Sequence, residues 1–390
     1  MFESNKSSEL STDARQSAYV QSSGGFTDKL DTTSSISKSS LFSANPNPNP
    51  YVTSAAINPD FNGDGKTDKI WFNTQTGETA IWLMDGGNPN GVMLPQSAAE
   101  WDMKIADVNG DNKTDLFWRN KNSGELVVWV MDGANIVSQT SVATLDKAWD
   151  FSIADTNGDR KTDLVWNNKQ TGDNAVWLMD GGTITSAEML TKTDSNWTSR
   201  AGDFNRDGKT DLLWHNKSTG ENAIWYMDGT KVNGAGLQSF GAGWDLTSGD
   251  FDGDLKTDVL WHNNQTGENK LWTFDITGAA VQSDLATMGA GSKYSIADFD
   301  GNGKTDIIWR DESTGTNKVW LMNGATVTEQ DVPQLGSNWK YSVGDFDGNG
   351  RADIFWNNAD TGENMIWSVD DQGNPISTNT VTTPKGWITY

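Results

Sequence analysis

From about residue 51 onward, apolar residues come in short runs of five to eight, broken by clusters of Gly, Asn and Asp. The stretch from Trp149 to Leu190 shows the grammar. "WDFSIAD" predicts a first strand that runs into an acidic loop, and "DLVWNN" predicts a second. "KQTG" turns the chain, "NAVWLM" predicts a third strand, "DGG" turns it again and "TITSAEML" predicts a fourth. Short runs bounded by turn formers are the signature of strands. The second and third strands are apolar on nearly consecutive residues, as expected of a sheet covered on both faces. No stretch sustains a helical period over 11 or more residues.

The same unit recurs. Its acidic loops open at Asp60, Asp107, Asp155, Asp203, Asp250, Asp298 and Asp345, at steps of 47, 48, 48, 47, 48 and 47 residues. Seven four-stranded units of this length predict an all-β chain, a seven-bladed β-propeller of antiparallel blades over residues 51–390. An open solenoid would need atypical terminal caps, and none is evident. Trp387 falls 48 residues after Trp339, in the phase that Ser54 holds in the first unit. "GWITY" therefore reads as the start of an eighth unit that joins the first blade and closes the ring. Residues 1–50 hold 13 Ser and no Trp and end in "NPNPNP". They read as a disordered Ser-rich leader and Asn-Pro linker.

Each loop offers oxygen at alternate positions. Position 1 is the opening Asp. Position 3 is Asn62, Asn109, Asn157, Asn205, Asp252, Asp300 or Asp347, and position 5 is Asp64, Asp111, Asp159, Asp207, Asp254, Asn302 or Asn349. Position 7 is Lys66, Lys113, Lys161, Lys209, Lys256, Lys304 or Arg351, whose carbonyl can turn inward while the side chain goes to solvent. Position 9 is Asp68, Asp115, Asp163, Asp211, Asp258, Asp306 or Asp353. An EF-hand needs Glu at position 12 and flanking helices. Position 12 here is Trp in every unit and the flanks are strands, so that reading fails. Hard oxygen ligands in a small loop suit Ca²⁺ and offer nothing to softer metals. The alternative is a set of metal-free Asx turns. Glycine is missing at position 4 in the fourth loop (Arg206), and at position 6 in the second, third and fifth (Asn112, Arg160, Leu255), where a tight turn is harder to make.

The loops "DFNGDGKTD", "DFDGNGKTD" and "DFDGNGRAD" resemble those of FG-GAP/VCBS repeats, a family that includes integrin α propellers and Psathyrella-type lectins. The resemblance covers residues 51–390. It implies a seven-bladed propeller with calcium between the first two strands of each blade, up to seven ions in all. It also implies ligands from the side chains at positions 1, 3, 5 and 9 and the carbonyl at 7. The Phe-Gly and Gly-Ala-Pro signatures of the family are not evident, and Trp-rich strands stand in their place.

The 20 Trp fall in three phases. One is position 12 and one lies 11 residues later; on hairpin strands these should share a face and pack between blades. The third opens the first strand: Trp101, Trp149, Trp197, Trp244 and Trp339, with Trp387 as the terminal echo. These six are the candidate ligand-binding residues, as stacking platforms for the C–H faces of sugars. The residue after the position-12 Trp varies (Phe72, Arg119, Asn167, His215, His262, Arg310, Asn357) and reads as solvated, with tuned pockets as the alternative.

Charge narrows the partners. A net −24 excludes nucleic acid, whose binders gather Lys and Arg. No apolar run approaches the length of a membrane helix, so no membrane insertion is expected. The 22 acidic residues in the loops crowd like charges, and seven Ca²⁺ would cancel more than half of the net charge. Cysteine is absent, and no Ser or Cys nucleophile stands in a recognisable setting. The expectation is therefore a multivalent binding module for glycans or a surface protein, not an enzyme. A calcium-rigidified scaffold without a small ligand is the alternative, and a glycan-active enzyme the third reading. Calcium at about 10⁻⁴–10⁻³ M is an extracellular condition, so an exported protein is expected, although the N-terminus has no apolar signal core.

Overall fold

The structure, a computed structural model, describes residues 58–390 except 74–75, 96–99, 276–277, 359, 370–374, 385–386 and 390. The leader predicted for residues 1–50, and Ser54, lie outside the described residues. The described chain forms seven four-stranded antiparallel sheets arranged as the blades of a propeller, and no helix in it is long and apolar enough to cross a membrane. In the third blade the strands are Trp149–Ala154, Asp163–Asn168, Asn174–Asp180 and Thr183–Leu190, as the hydrophobic runs predict. First strands of neighbouring blades touch at the centre, as Trp197–Gly202 does with Trp244–Gly249. Fourth strands form the exposed rim.

The blades pack through their tryptophans. All seven position-12 residues (Trp71, Trp118, Trp166, Trp214, Trp261, Trp309, Trp356) are at most 2% exposed. Each lies 4.8–5.2 Å from the Trp 11 residues later on the neighbouring strand. The shared face follows from register: Trp71 stands opposite Ala80 and Trp82 opposite Lys69, a diagonal pair on one side of the hairpin. The position-12 indole N–H groups are buried without a hydrogen-bond partner. Each such orphan costs about 1–3 kcal/mol, so the packing of these rings has to outweigh it.

The ring closes where the sequence places the closure. Trp387–Thr389 pairs antiparallel with Lys69–Asn73 and supplies the missing first strand of blade one. Trp387 also packs against the cluster of Trp71, Trp82, Phe346 and Phe355, which spans blades one and seven. Deleting residues 385–390 should remove this clasp and lower the melting temperature by several degrees, at about 2–4 °C per kcal/mol lost. A thermal melt unchanged by the deletion would contradict closure by this segment.

Candidate metal loops and the two ends of the ring

Six of the acidic loops join first and second strands at one end of the propeller, and the other, residues 60–68, leads into the second strand of blade one. Their geometry is set by the position-1 carboxylate, which gathers the loop's own amides. In the third loop Asp155 Oδ1 accepts from Gly158 N–H at 2.8 Å and Asp159 N–H at 3.1 Å, and Oδ2 accepts from Arg160 N–H at 2.8 Å. Asn157 Oδ1 then accepts from Asp159 N–H and Asp159 Oδ1 from Lys161 N–H. The turn survives without glycine. Asn112, Arg160, Arg206 and Leu255 all take φ between 63° and 69°, and are the non-glycine residues in that region among the described residues. A left-handed L-residue costs about 1–2 kcal/mol, which the loop's hydrogen bonds offset.

Position 9 is the buried floor of the loop. Asp68 is fully buried; Oδ2 accepts Phe61 N–H at 2.7 Å and Oδ1 accepts Met84 N–H at 2.8 Å, so one carboxylate ties loop to third strand. Asp115, Asp163, Asp211 and Asp306 repeat the second bond. Burial pushes these carboxyls up, to about 7 at Asp68 and Asp115, about 6 at Asp163, and about 8 at Asp211, Asp306 and Asp353. At Asp258 burial, reinforced by Asp252, Asp250 and Asp254, pushes the carboxyl to about 9. Asp258 Oδ1 and Asp353 Oδ1 are buried with no hydrogen-bond partner. In three loops carboxylate oxygens converge within 4.8 Å: Asp250, Asp252 and Asp254; Asp298, Asp300 and Asp306; Asp345, Asp347 and Asp353. Converging hard oxygens, with the carboxyl of Asp353 and its partnerless Oδ1 among the groups that supply them, fit a divalent cation such as Ca²⁺. When bound, the ion would supply positive charge that keeps positions 1 and 9 ionised; positions 1, 3, 5 and 9 are the residues available to hold it.

Position 7 corrects the expectation of a side chain free in solvent. Lys66, Lys113, Lys161 and Lys209 are half-buried and pair with Asp85, Asp132, Asp180 and Asp228 in the turn between third and fourth strands. Their stems cross the preceding loop, where Gly348, Gly63, Gly110 and Gly158 leave room. Lys256 differs. Its ammonium folds onto Asp254 at 2.9 Å and Phe274 O at 2.8 Å, and the preceding loop carries Arg206 where the others have glycine.

At the opposite end the third Trp phase divides. Trp101 and Trp244 are buried, so the expectation of exposed platforms fails there; Trp244 stacks on Phe240 at 5.3 Å. Trp149, Trp197, Trp339 and Trp387 are half-buried. Asp150 and Lys340, which follow Trp149 and Trp339, are exposed, as are Asp245 and Lys293 at the same repeat position in two other blades. The variable residue after position 12 also departs from expectation. It is not solvated but seals the joint to the next blade. Arg119 donates to Gly124 O, Leu145 O, Asp146 O and Trp149 O and lies over Trp166 of the next blade, 5.0 Å from its centroid. Arg310 does the same beneath Trp356 with Asn317 Oδ1, Leu335 O, Gly336 O and Trp339 O. His215 and His262 meet Asn222 and Asn269 through Nδ1 at 2.8 and 2.7 Å and touch Trp261 and Trp309 edge to face or tilted. Asn167 and Asn357 bond Asn174 and Asn364 in the same way.

Comparison with known families matches the FG-GAP-like repeat at residues 60–118, 107–166, 155–214, 203–261 and 298–356. The chain belongs to the FG-GAP-like repeat family. The matches span each loop they include through to the position-12 Trp of the next, so the family's unit is the loop-and-hairpin described above. No curated protein matches the sequence of this FG-GAP-like propeller. Among solved structures it resembles an Agrocybe aegerita lectin reported for specific recognition of non-reducing terminal N-acetylglucosamine, with TM-score 0.70 and 16% identity over 86% of this chain and 96% of the lectin. It also resembles prolyl oligopeptidase B of Galerina marginata, with TM-score 0.56 and 14% identity over 84% of this chain and 51% of that one. The periplasmic gluconolactonase of Pseudomonas aeruginosa gives TM-score 0.48 and 11% identity over 83% of this chain and 99% of the enzyme. At these identities the likeness is one of fold.

The two histidines give the FG-GAP-like propeller a pH signature. Burial lowers the proton affinity of both imidazoles, outweighing the hydrogen bonds to Asn222 and Asn269 that favour the charged form. Above about pH 6.5 both states are neutral there; below it the unfolded chain binds protons that the folded chain does not, so stability falls with pH. The double substitution H215N/H262N places in these joints the residue that Asn167 and Asn357 already supply. The melting temperature of the natural chain should drop more between pH 6.5 and 5 than that of the double variant. Parallel curves would contradict neutral burial of the pair.

Proposed function

We propose that this FG-GAP-like propeller is a calcium-binding, multivalent binding module that works outside the cell and takes carbohydrate as its ligand. The observation that carries the calcium reading is the convergence of three carboxylates within 4.8 Å in three of the seven repeated loops, one of them built on Asp353 with its buried, partnerless oxygen. Seven loops binding at extracellular calcium levels, about 10⁻⁴–10⁻³ M, favour an exported protein.

The carbohydrate reading rests on the end opposite the loops. Four half-buried indoles, Trp149, Trp197, Trp339 and Trp387, recur around it, and exposed Asp150 and Lys340 follow two of them. An aromatic face with a polar rim suits a sugar ring, whose C–H side stacks while its hydroxyls bond. The fold likeness to a lectin that recognises N-acetylglucosamine supports the same class. Near-equal sites on a rigid ring turn weak single contacts into avidity. Binding rather than catalysis is supported by the histidines, both of which are used in packing between blades. A second reading, a calcium-stiffened scaffold for a protein partner, is favoured by Trp101 and Trp244, whose burial shows that this phase also serves packing.

A glycan array probed with the full chain in millimolar calcium and again in EDTA tests the proposal. Binding to one sugar class, lost in EDTA and weakened at least about tenfold by W149A/W197A, is the expected outcome. An array without signal, while calcium still raises the melting temperature, would overturn the carbohydrate reading and leave the scaffold.

A further inference from the structure

The loops are chained to one another. At position 8 each blade donates a backbone N–H to the carbonyl of the position-1 aspartate in the preceding blade. Thr114 donates to Asp60 O at 2.8 Å, Thr162 to Asp107 O at 3.0 Å, and Thr210, Thr257, Thr305 and Ala352 to Asp155, Asp203, Asp250 and Asp298 O at 2.7 Å. Thr67 closes the circle on Asp345 O at 2.6 Å. At four joints the threonine hydroxyl also accepts the N–H of the same aspartate: Asp60 at 2.8 Å, and Asp155, Asp250 and Asp345 at 3.0 Å. At a fifth, the Thr162 hydroxyl donates to Asp107 O at 2.7 Å. The six threonines are buried. The residue before the loop makes room for them: a Cβ on Gly202, Gly249 or Gly344 would come within 2.7 Å of Thr257, Thr305 or Thr67.

Position 8 therefore holds two sites at once. In its own loop it stands between the position-7 carbonyl and the position-9 carboxylate. In the loop before, it fixes the backbone of the position-1 carboxylate. Only two backbone links separate the Asp155 carboxylate of one loop from the Asp211 carboxylate of the next, through Thr210. A second set of bonds runs beside this circle at five of the seven joints, where the turn glycines Gly133, Gly181, Gly229, Gly324 and Gly86 donate to the position-2 carbonyls of Phe61, Val108, Thr156, Phe251 and Phe346. The position-7 stems lie across the same joints.

We propose that the position-8 residues couple adjacent loops, so that the cation sites fill as a connected ring with positive interaction between neighbours, and that Ala352 is the weakest joint. This rests on the calcium reading above. Drawing positions 1 and 9 onto an ion fixes the segment that the neighbouring loop needs fixed, and such coupling is reciprocal by linkage. Ala352 keeps the backbone bond but has no hydroxyl, and a small cavity lined by Phe299, Ala352 and Ile354 lies at that joint. Ala297 precedes that joint's loop, and the joints at Ala106 with Thr162 and Ala154 with Thr210 show that alanine there leaves space for threonine.

The test is calcium titration calorimetry on the full chain and on T210A, T210S and A352T, with melts of each in EDTA. The natural chain should saturate more steeply than independent sites allow. T210A should weaken two sites, those of the third and fourth loops, by at least about fivefold. T210S should behave as the natural chain, and A352T should tighten binding. Equal affinities in the natural chain and T210A would overturn the coupling, as would a T210A that melts earlier in EDTA yet binds calcium unchanged. A352T fills a joint in an otherwise natural ring, so it tests the proposal even if T210A does not fold, and unchanged binding by it would also count against the coupling. A natural chain that takes up no calcium would sink the parent reading, a result visible before any substitution is made.

Discussion

A four-stranded blade of this composition has two apolar faces, and only other blades can cover them. The ring therefore depends on what passes between neighbours. Position-12 tryptophans supply area, the residue after each seals one end, and the position-8 bond to the preceding aspartate ties the other. Closure completes the logic. Without Trp387–Thr389 the first sheet would lack its inner strand and the joint between blades one and seven would lose part of its core.

Much of this was legible in the sequence because repetition turns local chemistry into global shape. Runs such as "DLVWNN" and "NAVWLM" predict strands within a residue or two, and a 47–48 residue step predicts the blades. Two features were not legible. The residue after position 12 varies as solvated residues do, yet it is mostly buried, because Asn, His and Arg can each reach the side-chain oxygen of the Asn seven residues later. A usable signal existed: Asn stands seven residues later at Asn167, His215, His262, Arg310 and Asn357, and not at Phe72 or Arg119. The position-8 threonine was also visible in "KTD", but its partner is a backbone atom 54 or 55 residues away for which spacing gives no cue. The third tryptophan phase was half legible, since whether each indole is covered depends on neighbours such as Phe240.

The two ends of the ring divide the labour. Buried carboxylates, raised by desolvation, gather at the loop end, where a cation would relieve them. Half-buried indoles and exposed charges gather at the other. The strain of left-handed Asn112, Arg160, Arg206 and Leu255 is accepted in order to keep one loop geometry in all seven blades.

The measurement that bears most directly on this account is the number of calcium ions held by one chain, counted by native mass spectrometry after exchange into dilute calcium and again after EDTA. Several ions per chain, up to seven, are expected, all removed by EDTA with a large fall in melting temperature. A chain that carries no calcium, and melts at one temperature in both buffers, would contradict it.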